Sequence, residues 1–211
     1  MLIGFVTGLA AEARLLPAAL VAIGGGTPTG ARHAAERLIA QGAEALVSFG
    51  LAGGLDPALP PGTIVIPRAV LVDGVRHPTT PLLASPTRDL ILQTPTVLAT
   101  TAEKRAAFAA TSAAAVDLES GAVAQAAAAH ALPFAVLRAI CDPAGRDLPP
   151  AALAALDSAG TIGLLRVLAS LARHPTQLPA LLRLAADAAA ARRALVAHLA
   201  QTPLQPAPRM L

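Results

Sequence analysis

Short apolar runs alternate with small-residue, helix-like stretches through residue 141, and this alternation predicts the architecture. Residues 2–6 read as a buried strand ending at Thr7-Gly8, and residues 10–16 as the start of a helix. Residues 20–23 are a second apolar run, closed by Gly24-Gly25-Gly26. Residues 31–41 have helical composition, with Gly42 as the stop. Residues 45–49 read as a strand running into a turn, Gly50-Leu51-Ala52-Gly53-Gly54. Residues 63–66 and 69–72 read as a close strand pair around Pro67. Residues 73–95, with Pro78, Pro81, Pro86 and Pro95, read as irregular loop. The pattern then predicts a strand at 96–99, a helix at 102–109, a strand at 113–116, a helix at 119–130 and a strand at 134–141. From there the sequence is helical to about Ala200, before a Pro-rich tail at 203–211. The expectation is one α/β domain over residues 1–202, a mixed sheet flanked by helices.

Acids sit where these strands end. Glu12 follows the first strand, Asp117 and Glu119 lie where the run at 113–116 gives way to a helix, and Asp142 closes the run at 134–141. A carboxylate at a helix start is ordinary, because the helix dipole favours it there. Four of them at strand ends of one sheet point instead to a shared edge where a ligand is held.

Composition narrows the classes. Of 211 residues, 55% are hydrophobic and 2% aromatic, with no Trp or Tyr, so the core is built from Ala, Leu, Val and Ile. The formal charge of +3, from 16 Lys and Arg against 13 Asp and Glu, comes with no basic cluster interleaved with aromatics, which argues against a nucleic-acid partner. A single cysteine, Cys141, allows no internal disulfide and fits a reducing cytoplasm. Residues 1–8 lack the basic start of a signal peptide, and no apolar window free of charge and proline is long enough to span a membrane. Within residues 160–174, Gly163, Arg166, Ser170 and Arg173 recur at helical spacing opposite Leu164, Leu165, Leu168 and Leu171. That face suits peripheral contact with an anionic inner-membrane surface, or simply packing of the leucines on the sheet.

Familiar fingerprints are missing. Gly25 and Gly30 have P-loop spacing but are followed by Ala31-Arg32, and no Gly-x-Gly-x-x-Gly joins the first strand to its helix. His33, His77, His130, His174 and His198 are scattered, so no metal is expected. Cys141 reads as a buried small hydrophobe, and there is no Gly-x-Ser-x-Gly elbow. The glycine segments at Gly8, Gly24–Gly26 and Gly50–Gly54 leave backbone N–H groups free to approach an anion or a sugar.

Several blocks, in order, resemble the purine nucleoside phosphorylase and methylthioadenosine/adenosylhomocysteine nucleosidase superfamily. They are Ile3-Gly4-Phe5-Val6-Thr7-Gly8 with Glu12, Gly50-Leu51-Ala52-Gly53-Gly54-Leu55, and Pro61-Gly62-Thr63-Ile64-Val65-Ile66. Val116-Asp117-Leu118-Glu119-Ser120 is similar to the family's Val-Glu-Met-Glu motif, and Arg138-Ala139-Ile140-Cys141-Asp142 to its Arg-Ala-Ile-Ser-Asp motif. The run from Val6 to Ala13 looks most like the hopanoid-associated phosphorylases, which act on adenosylhopane.

The resemblance implies a nucleoside phosphorylase-like fold and cleavage of an adenine nucleoside conjugate, adenosylhopane first among candidates, with release of adenine. Asp142 would protonate or hydrogen-bond the purine N7, Glu119 would hold the ribose hydroxyls, and Leu118 would pack beneath the sugar. Gly8, Gly53, Gly54 and Asp117 would line the substrate, and Glu12 stands where the nucleosidases activate water. No cofactor is implied. The acceptor is left open between water and inorganic phosphate, the latter held by backbone N–H groups and an arginine such as Arg32 or Arg105. A methylthioadenosine-type nucleosidase and a non-catalytic nucleoside binder are the alternatives, and a homodimer is expected. The chain departs from the family at Leu51, in a shortened segment over 73–110 where Phe108 is the nearest aromatic, and in Cys141 for the family's Ser.

Overall fold

The computed structural model describes residues 1–16, 20–155, 170–171 and 173–201. The amphipathic pattern at 160–174 falls almost wholly outside these residues, as does the tail at 203–211. Nine strands and six α-helices are assigned among the described residues. The strands are β1 (Ile3–Thr7), β2 (Leu20–Ile23), β3 (Ala45–Gly54), β4 (Ile64–Val65), β5 (Pro67–Val72), β6 (Val75–Pro78), β7 (Arg88–Gln93), β8 (Ala115–Asp117) and β9 (Phe134–Asp142). The helices are α1 (Ala10–Ala13), α2 (Pro28–Ala40), α3 (Thr101–Thr111), α4 (Ser120–Ala129), α5 (Pro150–Ala155) and α6 (Leu178–Gln201).

They build one mixed sheet. Its main path runs β2-β1-β3-β8-β7-β5-β6, and β9 pairs with both β3 and β4. β1 and β9 lie parallel to β3 on its two sides, so their C-terminal ends point the same way. Past an irregularity at Ala52/Gly53, the end of β3 pairs antiparallel with β8. The C-terminal half of β3 is thus the seam where the ends of β1, β8 and β9 meet.

Period-two alternation splits the core between the two faces. Val6, Leu46, Val136 and Ile140 pack with Ala31, Ala34 and Ala35 of α2 and Ala122 and Val123 of α4. Phe5, Val47, Phe49 and Leu137 pack with Ala191 and Leu195 of α6. Strands buried on both faces read as continuous apolar runs, which is why β3 and β9 were legible. The alanine-rich α4 lies very close to the sheet, with Ser120 through Ala124 all buried. A methyl at Gly121 would come 2.6 Å from Val72 Cβ.

Several sequence expectations are corrected. Residues 50–54 are not a turn but the continuation of β3, because Gly50 takes a φ of 150° that lets the strand pass the Glu12 side chain. The segments at 63–66 and 69–72 do not pair with each other: β4 lies on β9, and β5 pairs with β6 and β7. The proline-bearing stretch at 73–95 carries two strands, β6 and β7, because its prolines fall at strand ends and between strands. Residues 96–99 are not a strand but lead into α3, which starts with a capping box between Thr100 and Glu103. The predicted helix at 10–16 is a single turn, α1.

Candidate active site

Four carboxylates lie at the seam, with side chains almost wholly withdrawn from solvent: Glu12 is 3% exposed, Glu119 4%, Asp117 7% and Asp142 7%. Burial of that many acids requires partners. Each has them.

Glu12 is folded back by α1 over the end of β1. Its Oε2 accepts from Gly8 N at 3.0 Å and Leu9 N at 2.9 Å, and its Oε1 accepts from Leu51 N at 2.8 Å. Backbone from two glycine-bearing segments therefore closes around one carboxylate. A Cβ on Gly50 would sit 2.6 Å from Glu12 Oε1, so only glycine allows this approach. Burial raises the pKa of Glu12, against the lowering pull of Arg138 and these three N–H groups.

Glu119 follows β8 and Leu118 at the mouth of α4. Its Oε1 accepts from Gly26 N at 3.2 Å, and its Oε2 lies 3.4 Å from an Arg138 nitrogen. A Cβ on Gly8 would come 2.8 Å from Oε2, which brings the Glu119 carboxylate to the same backbone that holds Glu12. Burial pushes the Glu119 pKa up to about 7, with Arg138 pulling down and the nearby Glu12 and Asp117 pushing up.

Asp117 shares its cation with Glu119. β8 ends at Asp117, and the chain turns before Glu119, so both carboxylates meet on Arg138. Arg138 Nε lies 2.8 Å from Asp117 Oδ2, while Asp117 Oδ1 accepts from Glu119 N at 3.1 Å and Ser120 N at 3.0 Å, which satisfies the first N–H groups of α4. Its Oδ2 also accepts the Ser120 hydroxyl. Arg138, fully buried in β9, further donates to Ser48 Oγ at 2.6 Å. Leu118 is half-buried in the turn between the two acids.

Asp142 ends β9 beside Gly53, where a Cβ would be 3.6 Å from its Oδ2, and Gly54 abuts Ile140 and the Pro143–Ala144 backbone. Gly50 at Glu12 and Gly53 at Asp142 are three residues apart on β3, about 10 Å of strand. Burial raises the pKa of Asp142, while Lys104 lowers it. The Lys104 ammonium is 2.7 Å from Asp142 Oδ2.

Sequence reasoning brought Glu12, Glu119, Asp117, Asp142 and their glycines to one edge, and the structure assembles them there. It missed Arg138 as the hub, although an arginine inside an apolar strand is itself a signal that a buried partner exists. It gave no part to Lys104, and no local pattern marks that residue. Phe108 packs with the satellite core around Leu55, Leu90 and Val116. Arg32 is engaged by Gln125 Oε1 at 2.7 Å, and Arg105 is exposed on α3. Among the described residues no group of three or more His, Cys, Asp or Glu is placed to hold a metal.

The protonation of Glu119 has a measurable consequence. Its folded pKa of about 7 stands above the ordinary 4.5, so the folded state holds a proton that the unfolded chain releases between those values. The stability that this proton contributes is therefore expected to be full below about pH 4.5 and to be lost as pH rises to about 7. Thermal midpoints across that window should decline, and Glu119→Gln should flatten the slope. An equal slope in the variant would assign the proton elsewhere.

Known proteins share this fold. The family model of the phosphorylase superfamily matches residues 5–88 and 86–166. No curated protein matches by sequence. Among solved structures, S-adenosylhomocysteine nucleosidase from Streptococcus pyogenes superposes with a TM-score of 0.66 at 16% identity, covering 96% of this chain and 97% of that one. A 5'-methylthioadenosine/S-adenosylhomocysteine nucleosidase from Colwellia psychrerythraea, in complex with adenine, gives 0.60 at 21% identity, covering 80% and 95%. A futalosine hydrolase mutant from Helicobacter pylori gives 0.58 at 14% identity, covering 65% and 88%. At these identities the likeness is one of fold.

Proposed function

Because the chain belongs to the phosphorylase superfamily, we propose that it hydrolyses the N-glycosidic bond of a 5′-substituted adenine nucleoside and releases adenine. The observation that carries water rather than phosphate as acceptor is the environment of Glu12. The N–H groups of Gly8, Leu9 and Leu51, which would otherwise suit an anion, are all taken by its carboxylate. A phosphate there would face Glu12 and Glu119 at once, with Arg138 already engaged by Asp117 and Glu119. The nucleosidases among the similar solved structures support the same choice.

A nucleoside laid along β3 would put its base by Asp142 and its ribose by Glu119 and Glu12. As the bond from C1′ to N9 breaks, its electron pair passes into the purine, and Asp142 delivers a proton to N7 so that adenine leaves neutral. Glu119 accepts hydrogen bonds from the ribose hydroxyls and stabilises the cationic sugar. Glu12 takes a proton from the water that adds to C1′, and the burial that raises its pKa makes its carboxylate a stronger base than one in water. Gly8, Gly53, Gly54 and Leu118 shape the floor, and Asp117 holds Arg138 and the start of α4 in place.

The leading substrates are methylthioadenosine and adenosylhomocysteine. Adenosylhopane is the second reading, favoured by the run from Val6 to Ala13 and by the turning of Phe108 into the core, which leaves that aromatic off the base. Cytoplasmic location and a homodimer belong to the same proposal. Among the described residues no helix is long and apolar enough to cross a membrane.

Purified protein offered methylthioadenosine, adenosylhomocysteine and a 5′-lipid-linked adenosine in detergent, with and without phosphate, tests this. Adenine and free sugar are expected, at a rate indifferent to phosphate. A sugar 1-phosphate formed only with phosphate would overturn hydrolysis, and no adenine from any of the three would leave a binding protein. Preference for the lipid-linked substrate would promote the second reading.

A further inference from the structure

Lys104 is the one lysine of the chain, and its side chain is completely buried. It comes from α3, an otherwise largely exposed helix, and crosses to the loop that follows β9. All three ammonium protons have acceptors: Asp142 Oδ2 at 2.7 Å, Pro143 O at 3.2 Å and Arg146 O at 2.7 Å. A buried lysine is costly unless its charge is matched, so this geometry binds the helix, the loop and the strand-end acid together. Among the described residues, Asp142 Oδ1 accepts no hydrogen bond.

We propose that Lys104 is a positioning residue for the departing base: its ammonium holds Asp142 Oδ2 and stabilises the carboxylate left when Oδ1 gives up its proton. The proposal rests on the nucleosidase reading above and assigns a part to a residue outside the carboxylate cluster. The proton leaves Oδ1 for purine N7 as the C1′–N9 pair enters the ring, and the resulting anion is already paired. A fixed cation makes the acid stronger without moving it and aims the proton from one oxygen only.

Other charges also face Asp142. Arg146 on the following loop lowers its pKa, and Asp187 on α6 raises it, but those two form an ion pair with each other. Arg183 and Asp147 line a surface cavity together with Asp142, Arg146 and Asp187, and Cys141 precedes Asp142 on β9. Burial lifts the Cys141 thiol to about 12, so it stays neutral in the working range. Lys104 is the cation in direct contact with the carboxylate.

A single lysine makes the test clean. In wild-type protein labelled with 15N-lysine, the one Nζ resonance should shift with pH as Asp142 titrates, and Asp142→Asn should abolish that shift. Lys104→Gln keeps a donor but loses the charge. In it the 13C-carboxyl titration of Asp142 should rise by about one unit or more. The alkaline limb of the kcat profile should move up with it, and kcat should fall about tenfold with KM unchanged. A role confined to holding the loop would lower the thermal midpoint and leave both titrations where they were, which would overturn the proposal. If Lys104→Gln does not fold, the wild-type Nζ titration decides alone, and a resonance indifferent to Asp142 sinks the idea. These titrations need no turnover, so a protein that cleaves no nucleoside would refute the nucleosidase reading separately.

Discussion

Glu12→Gln is expected to lower adenine release by about 10²- to 10⁴-fold, the span that a positioned general base contributes. The substitution preserves volume, so loss of activity reports chemistry more than packing. An amide has one acceptor oxygen where the carboxylate uses two for Gly8 N, Leu9 N and Leu51 N. At least one of those N–H groups then faces an NH₂, at a cost of about 1–3 kcal/mol for a buried donor left unpaired. Circular dichroism and a thermal midpoint should therefore accompany the rate measurement. A folded variant releasing adenine at close to the wild-type rate would remove Glu12 from the mechanism. Asp142→Asn should fall in the same range, for the opposite reason: the site then lacks a proton donor, not a proton acceptor. Added phosphate offers a further check on Glu12→Gln. If vacating the negative charge let phosphate into the N–H cage, sugar 1-phosphate would appear in the variant alone, which would show that Glu12 selects the acceptor.

The acids were legible because each follows an apolar run, and a strand end is fixed by the run itself. Glu12, Asp117, Glu119 and Asp142 could be placed at one edge without knowing which strands were neighbours. Their partners could not. Arg138 meets Asp117 and Glu119 only because β9 and β8 both contact β3, and Lys104 meets Asp142 across a separation of 38 residues (142 − 104) between α3 and the end of β9. Such pairings are set by sheet order, which local periodicity does not carry. The same limit explains the middle of the chain. β4 is a two-residue strand defined by its pairing with β9, and β7 reads as polar at its ends because Arg88 and Asp89 stand at a rim. Gly50–Gly54 misled in an instructive direction: glycines usually mark turns, yet here they thin a continuing strand so that Glu12 and Asp142 can lie against it.

Removing the hub is expected to be the most damaging change to the fold. Arg138→Met fits the hydrophobic strand in size but leaves Asp117 and Glu119 without their cation and takes one of two donors from Ser48. Breaking a buried ion pair from one side costs about 3–5 kcal/mol, because the surviving charge stays desolvated. That is a large share of the about 5–15 kcal/mol that holds a domain of this kind folded. The deficit should depend on pH with a definite sign. Arg138 lowers the pKa of both Glu12 and Glu119, so without it both carboxyls titrate higher and fold as neutral acids over a wider range. The stability gap between variant and wild type should accordingly be widest near and above neutral pH, and should narrow as pH falls and the carboxyls are protonated. Urea midpoints measured at several pH values test both statements, and Arg138→Met/Asp117→Asn should recover part of the loss at neutral pH by discharging the nearest orphan. An Arg138→Met protein within about 1 kcal/mol of wild type at neutral pH would mean that the carboxylates are neutral in the native state and that the hub is not held by charge.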